Sequence, residues 1–172
     1  WGLTLIDVAD LILVPLADNP ELGAHPLRWS LELWGEKNPW FAAEEWPSFY
    51  DRAAQANYLT WNHEGVDQEL IYLALIDSEV VGAIALVDFD DVEEFRTLKP
   101  WVAAFVVNPA LRGRGIGSQM LAAIEKQAKA FGIRELYLWT EDKKDFYSKR
   151  GYQELHHRDY PEISIDVLRK SL

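Results

Sequence analysis

The hexapeptide Arg112-Gly113-Arg114-Gly115-Ile116-Gly117 lies between a continuous apolar run, Trp101 to Val107, and a segment with helical periodicity. In that segment Ile116, Met120, Ile124, Ala128 and Phe131 recur every three or four residues, and Gly132 stands where a C-terminal cap belongs. A strand, a glycine-rich turn and a helix in this order constrain the fold more than any other stretch. Glycine at 113, 115 and 117 lets the backbone turn tightly and removes side chains that would hold a ligand away. A helix beginning near Gly115 leaves its first amides without intrahelical partners, and its dipole adds partial positive charge. With Arg112 and Arg114 beside them, these amides make a diphosphate-sized anion site. Taken alone, the hexapeptide fits equally an arginine-glycine turn that only caps a helix.

The rest of the chain reads as alternating strands and helices. Asp10 to Leu16 is a strand. Helices follow over His25 to Trp34, with Leu27, Leu31 and Trp34 at helical spacing, and over Ala43 to Ala56, with Trp46, Phe49, Tyr50 and Ala53 on one face. Leu70 to Ile76 and Val80 to Asp88 form a hairpin across Asp77-Ser78-Glu79, a turn without glycine. Asp88 to Pro100 is an acidic loop. Trp101 to Val107 has the composition of a strand buried on both faces. Arg134 to Thr140 is a strand, Asp142 to Lys149 a short helix stopped by Gly151, and Tyr152 to His156 and Ile163 to Leu168 are the closing strands. The order is mixed β and α.

A length of 172 residues, with no repeat, linker or composition shift, predicts one domain over 1–172. There is no cysteine, which excludes disulfides, Cys-ligated zinc and thiol nucleophiles. No stretch approaches the roughly 18 apolar residues of a membrane span. Asp7 and Asp10 stand where a signal peptide carries positive charge, so a cytoplasmic protein without a membrane partner is expected. Position 1 is Trp, from which a trimmed or processed natural start is expected. The net charge of −11 repels nucleic acid over most of the surface and weakly favours cationic partners. Acidic composition also serves solubility alone.

Three phosphate-binding loops compete for the hexapeptide. A P-loop needs Gly-Lys-Ser/Thr, and no lysine follows these glycines. A Rossmann fingerprint counted from Gly113 meets Ser118 at its sixth position and stands too far from the strand. The third is the Gln/Arg-x-x-Gly-x-Gly/Ala loop, matched by Arg112, Gly115 and Gly117. With Val106-Val107-Asn108-Pro109 before it and Phe146-Tyr147-Ser148-Lys149-Arg150-Gly151-Tyr152 after it, the chain resembles the GNAT family of N-acetyltransferases over most of its length. Only the tryptophan-rich region before Leu70 is generic.

The resemblance implies an α/β (α+β mixed-sheet) domain of the GNAT-type acyl-CoA N-acyltransferase fold. That fold has a central mixed sheet of about six to seven strands, about four flanking helices and two splayed strands that bind CoA. It implies that Phe105, Val106 and Val107 offer main-chain groups to the pantetheine arm of acetyl-CoA, as in strand addition. It implies that Arg112, Gly113, Arg114, Gly115, Ile116, Gly117 and Ser118 hold the pyrophosphate. Tyr147 matches the family's tyrosine that protonates the leaving thiolate, a task suited to a phenol of pKa about 10. The alternative for Tyr147 is a core aromatic.

Two positions depart from the family pattern. Thr140 stands where an Asn often touches the pantetheine, and Trp101 is near the place of a Glu that helps deprotonate the acceptor. A base must then come from elsewhere, with Asp88, Asp90, Asp91, Glu93 and Glu94 as candidates for base or for anchor of a cationic substrate. A solvated acidic loop is the alternative for each. His156 and His157 point to opposite faces of a strand, His63-Glu64 lacks a second histidine and His25 stands alone, so no metal is expected. The expected activity is direct acetyl transfer from acetyl-CoA to a primary amine, a small amine or a peptide N-terminus, by a monomer or homodimer. The alternative is a CoA-binding regulatory domain that has lost catalysis.

Overall fold

Seven strands make one mixed sheet in the computed structural model, which describes residues 10–61 and 66–172. They are β1 (Leu11–Pro15), β2 (Glu69–Ile76), β3 (Glu79–Val87), β4 (Trp101–Val107), β5 (Glu135–Thr140), β6 (Gln153–Asp159) and β7 (Ser164–Ser171). Their order is β1-β2-β3-β4-β5-β7-β6. All neighbours are antiparallel except β4 and β5. Four helices flank the sheet: α1 (Ala24–Trp34), α2 (Glu45–Ala54), α3 (Ile116–Ala130) and α4 (Lys144–Ser148). The pair His63-Glu64 lies outside the described residues.

Alternation along the strands divides the core in two. On one face Leu70, Tyr72, Ile84, Leu86, Leu136 and Leu138 meet the α3 stripe of Ile116, Met120, Leu121, Ile124 and Ala128. On the other, small residues on β3 (Ala83, Ala85) leave room for the aromatics of α1 and α2, Trp29, Trp46, Phe49 and Tyr50. The α2 face is the one its spacing predicts. In α1 the deepest aromatic is Trp29, while the expected Leu27, Leu31 and Trp34 are only partly buried. Trp34 stacks on Trp46 of α2, centroids 5.5 Å apart.

Local signals end the elements where residue chemistry demands it. The β2–β3 hairpin turns on Asp77 and Ser78 at φ 49° and 67°, the left-handed region that short polar side chains tolerate. Gly132 (φ 85°) closes α3 in a Schellman arrangement, with Ile133 N donating to Ala128 O and Gly132 N to Lys129 O.

Strand β4 differs from its expectation as a doubly buried strand. Ala104 has φ 48°, and the register slips from Ala85 opposite Ala103 to Ala83 opposite Val106. This bulge exchanges the faces of the sheet. Trp101 and Ala103 face α1 and α2, but beyond the bulge Val106 takes that side and Phe105 and Val107 turn toward α3. Ala104, Phe105 and Val107 are accordingly half-exposed.

Candidate active site

The parallel ladder between β4 and β5 has one register pair, Trp101 with Tyr137, next to the bond from Tyr137 N to Pro100 O. Beyond it β4 stays with β3 and β5 with β7, so the strands part toward their C-terminal ends. A parted pair leaves one row of main-chain donors and acceptors on each strand without its ladder partner. Phe105, Val106 and Val107 line the β4 side of this split, and Thr140 ends the β5 side. Thr140 Oγ1 accepts from Lys143 N at 3.0 Å, which fixes the turn into α4 and leaves its O–H free to donate.

The glycine-rich loop opens at the β4 end of the split. A short 3-10 turn, Pro109–Leu111, is capped by Asn108, whose Oδ1 accepts from Ala110 N at 3.0 Å. Gly113 and Gly115 then sit at φ 80° and 79° with open space where a Cβ would stand. Dihedral angle rather than crowding demands glycine at both. Gly115 is the N-cap of α3, and its carbonyl accepts from Gln119 N. The amides of Ile116, Gly117 and Ser118 therefore have no i−4 carbonyl within the helix. Arg112 and Arg114 are exposed beside them, Ile116 is buried as an anchor, and a Cβ added at Gly117 would stand 3.6–3.8 Å from Phe105, Phe146 and Val107. Donor amides, positive charge and a bare strand edge meet at one end of the sheet.

A further cation here was missed from sequence. Arg150 donates from Nε (2.8 Å) and from Nη2 to Ser118 Oγ, and from Nη1 to Phe146 O at 2.6 Å. Its guanidinium lies 3.7 Å over the Phe146 ring. Arg150 thus ties the first turn of α3 to α4 and adds positive charge, an arrangement no local pattern encodes.

Tyr147 stands on α4, with its ring edge-on to Phe146 and Tyr152, 5.1 and 5.7 Å between centroids. Tyr152 donates to Glu125, which also holds Lys170. The tyrosine is therefore positioned by a network reaching back to α3 and β7. Burial pushes the Tyr147 phenol above the ordinary tyrosine range, with Asp142 and Asp90 adding to the shift, so it keeps its proton at neutral pH.

The acidic segment between β3 and β4 divides. Asp88 is buried, with Oδ2 accepting from Gln68 N at 2.7 Å. Glu93 is exposed. Glu94 accepts from Arg158 and Tyr160, each at 2.7 Å. Asp90 and Asp91 are half-buried. Trp101 is fully buried and its indole N–H donates to Leu98 O at 2.6 Å. Over this end closes an aromatic corner: Trp40, between α1 and α2, meets Trp139 and Tyr160 edge-on at 5.6 and 5.1 Å.

His156 stacks on Phe95, and His157 is held between Asp166 and Asp159. Glu154, His157 and Asp166 nevertheless bring three potential ligand atoms within 4.8 Å of one another on the β6–β7 surface. Glu154 is ion-paired with Lys144. Among the described residues, no helix is long and apolar enough to cross a membrane.

Known proteins match this arrangement. A protein-family model for the acetyltransferase (GNAT) family matches residues 32–156. The chain is 36% identical over 93 residues to an aminoalkylphosphonate N-acetyltransferase of Salmonella typhimurium, covering 50% of this chain and 58% of that protein. It is 44% identical over 52 residues to N-alpha-acetyltransferase 80 of Mus musculus, covering 30% of this chain and 17% of that one. The chain thus spans between about a sixth and three fifths of these relatives. An acetyltransferase structure from Streptococcus agalactiae superposes with a TM-score of 0.66 at 17% identity, over 95% of this chain and 99% of that one. An aminoglycoside 6'-N-acetyltransferase complexed with coenzyme A gives 0.66 at 18%, over 93% and 96%. At such identities the structures speak for the fold. The family model speaks for descent, and the chain belongs to the acetyltransferase (GNAT) family.

Proposed function

We propose that the chain is an N-acetyltransferase that moves an acetyl group from acetyl-CoA to a primary amine by direct attack in a ternary complex. The observation that carries this reading is the split between β4 and β5, bordered by the amide-rich loop on one side and by Tyr147 on the other. Phe105, Val106 and Val107 pair their main chain with the pantetheine amides. Residues Arg112 to Ser118 hold the pyrophosphate. The positive-φ glycines leave open space there, so the residues present fit the group. The acetyl thioester supplies the electrophile. As the nitrogen–carbon bond forms and the carbon–sulfur bond breaks, Tyr147 gives its phenolic proton to the departing sulfur. The amine gives its own proton to a carboxylate of the segment 88–94.

Relatives named as N-acetyltransferases support the amine as acceptor. A CoA-binding domain without catalysis is the second reading. It is favoured by the buried Trp101, which leaves no carboxylate at that position of β4. Incubation with acetyl-CoA and a panel of primary amines, followed by release of free thiol, separates the two. Measurable CoA binding without thiol release from any amine would favour the second.

A further inference from the structure

Asp90 and Asp91 differ from the other acids of their segment in what holds them. Asp88 and Glu94 have strong partners, the Gln68 amide for one and Arg158 with Tyr160 for the other. Asp91 Oδ2 accepts from the side-chain amide of Asn38 at 3.1 Å, and Asp90 lies against the Trp139 indole, whose N–H donates to the Asp90 carbonyl at 3.0 Å. Both of these donors are neutral. Arg96, in the segment before β4, is paired with Asp67, and Arg158, on β6, with Glu94. Among the described residues, no cation pairs with either of these two adjacent carboxylates. Burial pushes both carboxyls up; the Asp91 charge adds to the shift at Asp90, and the Glu45 and Glu69 charges add to that at Asp91, which reaches about 6.

Independently, the corner beside this pair is lined with rings. Trp40, Trp139 and Tyr160 come from three segments and meet edge-on. Aromatic faces attract a cation and accept apolar carbon, but offer an anion nothing. Trp139, which binds the Asp90 carbonyl, is on β5, the strand that runs through Thr140 toward α4 and Tyr147, so the pair lies on the β5 side of the split.

We propose that Asp90 and Asp91, walled by Trp40, Trp139 and Tyr160, form the acceptor subsite. It selects a primary ammonium on an apolar or aromatic body, with no carboxylate or phosphonate beside the nitrogen. The inference rests on N-acetyl transfer as proposed. The pair anchors the ammonium, Asp90 takes its first proton before the neutral nitrogen attacks, Asp91 takes the second as the amide forms, and exchange with solvent returns the Tyr147 phenolate and both carboxyls to their starting states. An anionic group next to the nitrogen would face the pair at close range and be repelled.

The test compares phenethylamine with phenylalanine, which has the same body plus a carboxylate, and with a peptide of acidic N-terminus. Thiol release by the full chain should give phenethylamine a kcat/KM about tenfold or more above both others. Asp90→Asn and Asp91→Asn should each raise the phenethylamine KM about tenfold while CoA affinity, read by calorimetry, stays unchanged. Trp40→Leu should weaken the amine without touching CoA. Equal use of phenylalanine or of the acidic peptide would overturn the proposal, as would Asn variants with an unaltered amine KM. If CoA binds and no amine is acetylated, N-acetyl transfer itself fails. Calorimetric titration of phenethylamine into the CoA complex then still decides whether the pair binds a cation, since each Asn variant should weaken binding about tenfold.

Discussion

The donor half and the acceptor half of this site are built in different ways. The proposed donor half is nearly continuous in the chain, with strand β4, the loop to Gly117 and the start of α3 following one another, and it offers main-chain amides and a parted strand edge. The acceptor half is assembled from side chains far apart in sequence: Asn38 and Trp40, Asp90 and Asp91, Trp139, and Tyr160. Backbone-built sites leave a local pattern, because glycine spacing and helix starts are local facts. Side-chain-built sites leave none until the fold closes.

Tyr147 joins the two halves, and its removal should have the largest effect. Tyr147→Phe should lower kcat by about a hundredfold or more with CoA affinity nearly unchanged, because only the proton donor is lost. Single-turnover thiol release with calorimetry of CoA reads both. Unaltered turnover would return Tyr147 to a packing role. Next comes the donor half alone. Arg112→Glu should weaken CoA about tenfold to a hundredfold, with an effect that shrinks as salt rises. At saturating acetyl-CoA the amine KM should hold. If the amine KM rose in step, the separation of the halves would be wrong.

How much of this was legible in sequence follows the same division. The loop, the α3 stripe, the Gly132 cap and the α2 face all rest on short-range periodicity or glycine placement, and the structure has them. The bulge at Ala104 was hidden, because Ala-Ala-Phe contains no glycine to announce a positive φ and the run is apolar on both parities. Yet that bulge turns Phe105 and Val107 toward α3. Arg150 was hidden for another reason: its partners, Ser118 and Phe146, meet only when α4 docks on α3. The burial of Trp29 in preference to Leu27 and Leu31 was hidden as well, because Trp29 enters the core shared with α2 only when the two helices pack on the sheet.

A third variant probes the support under the donor half. At Gly82 an added Cβ would stand 2.5 Å from the Val106 carbonyl oxygen and 2.7 Å from Met120 Sδ. Gly82 therefore lets α3 lie close on β3 and β4 directly behind the split. Gly82→Ala should cost about 1–3 kcal/mol in denaturant unfolding, since backbone or helix must shift to admit a methyl. CoA affinity should fall with it and the amine KM should not. Loss of stability with CoA affinity intact would mean that α3 can move without disturbing its own first amides.

The smallest expected effect bears on the acceptor half and has opposite signs in two measurements. Asp91 has its carboxyl raised to about 6 by burial, against about 3.9 in an unfolded chain. Between those values the folded state holds the extra proton, so stability falls as pH rises through the window. At pH 7 the carboxylate is ionised in both states and the fold bears the cost of burying it beside Asp90. Asp91→Asn can still accept from Asn38 and removes that charge. The variant should therefore melt about 2–4 °C higher at pH 7, an advantage that shrinks below pH 6 and is gone near pH 4. The same substitution weakens the amine. A residue whose removal strengthens the fold and weakens the substrate is held for binding rather than for structure. If Asp91→Asn lowered the melting temperature at pH 7 instead, the Asn38–Asp91 bond would be a structural tie and the acceptor half would lose one of its two carboxylates.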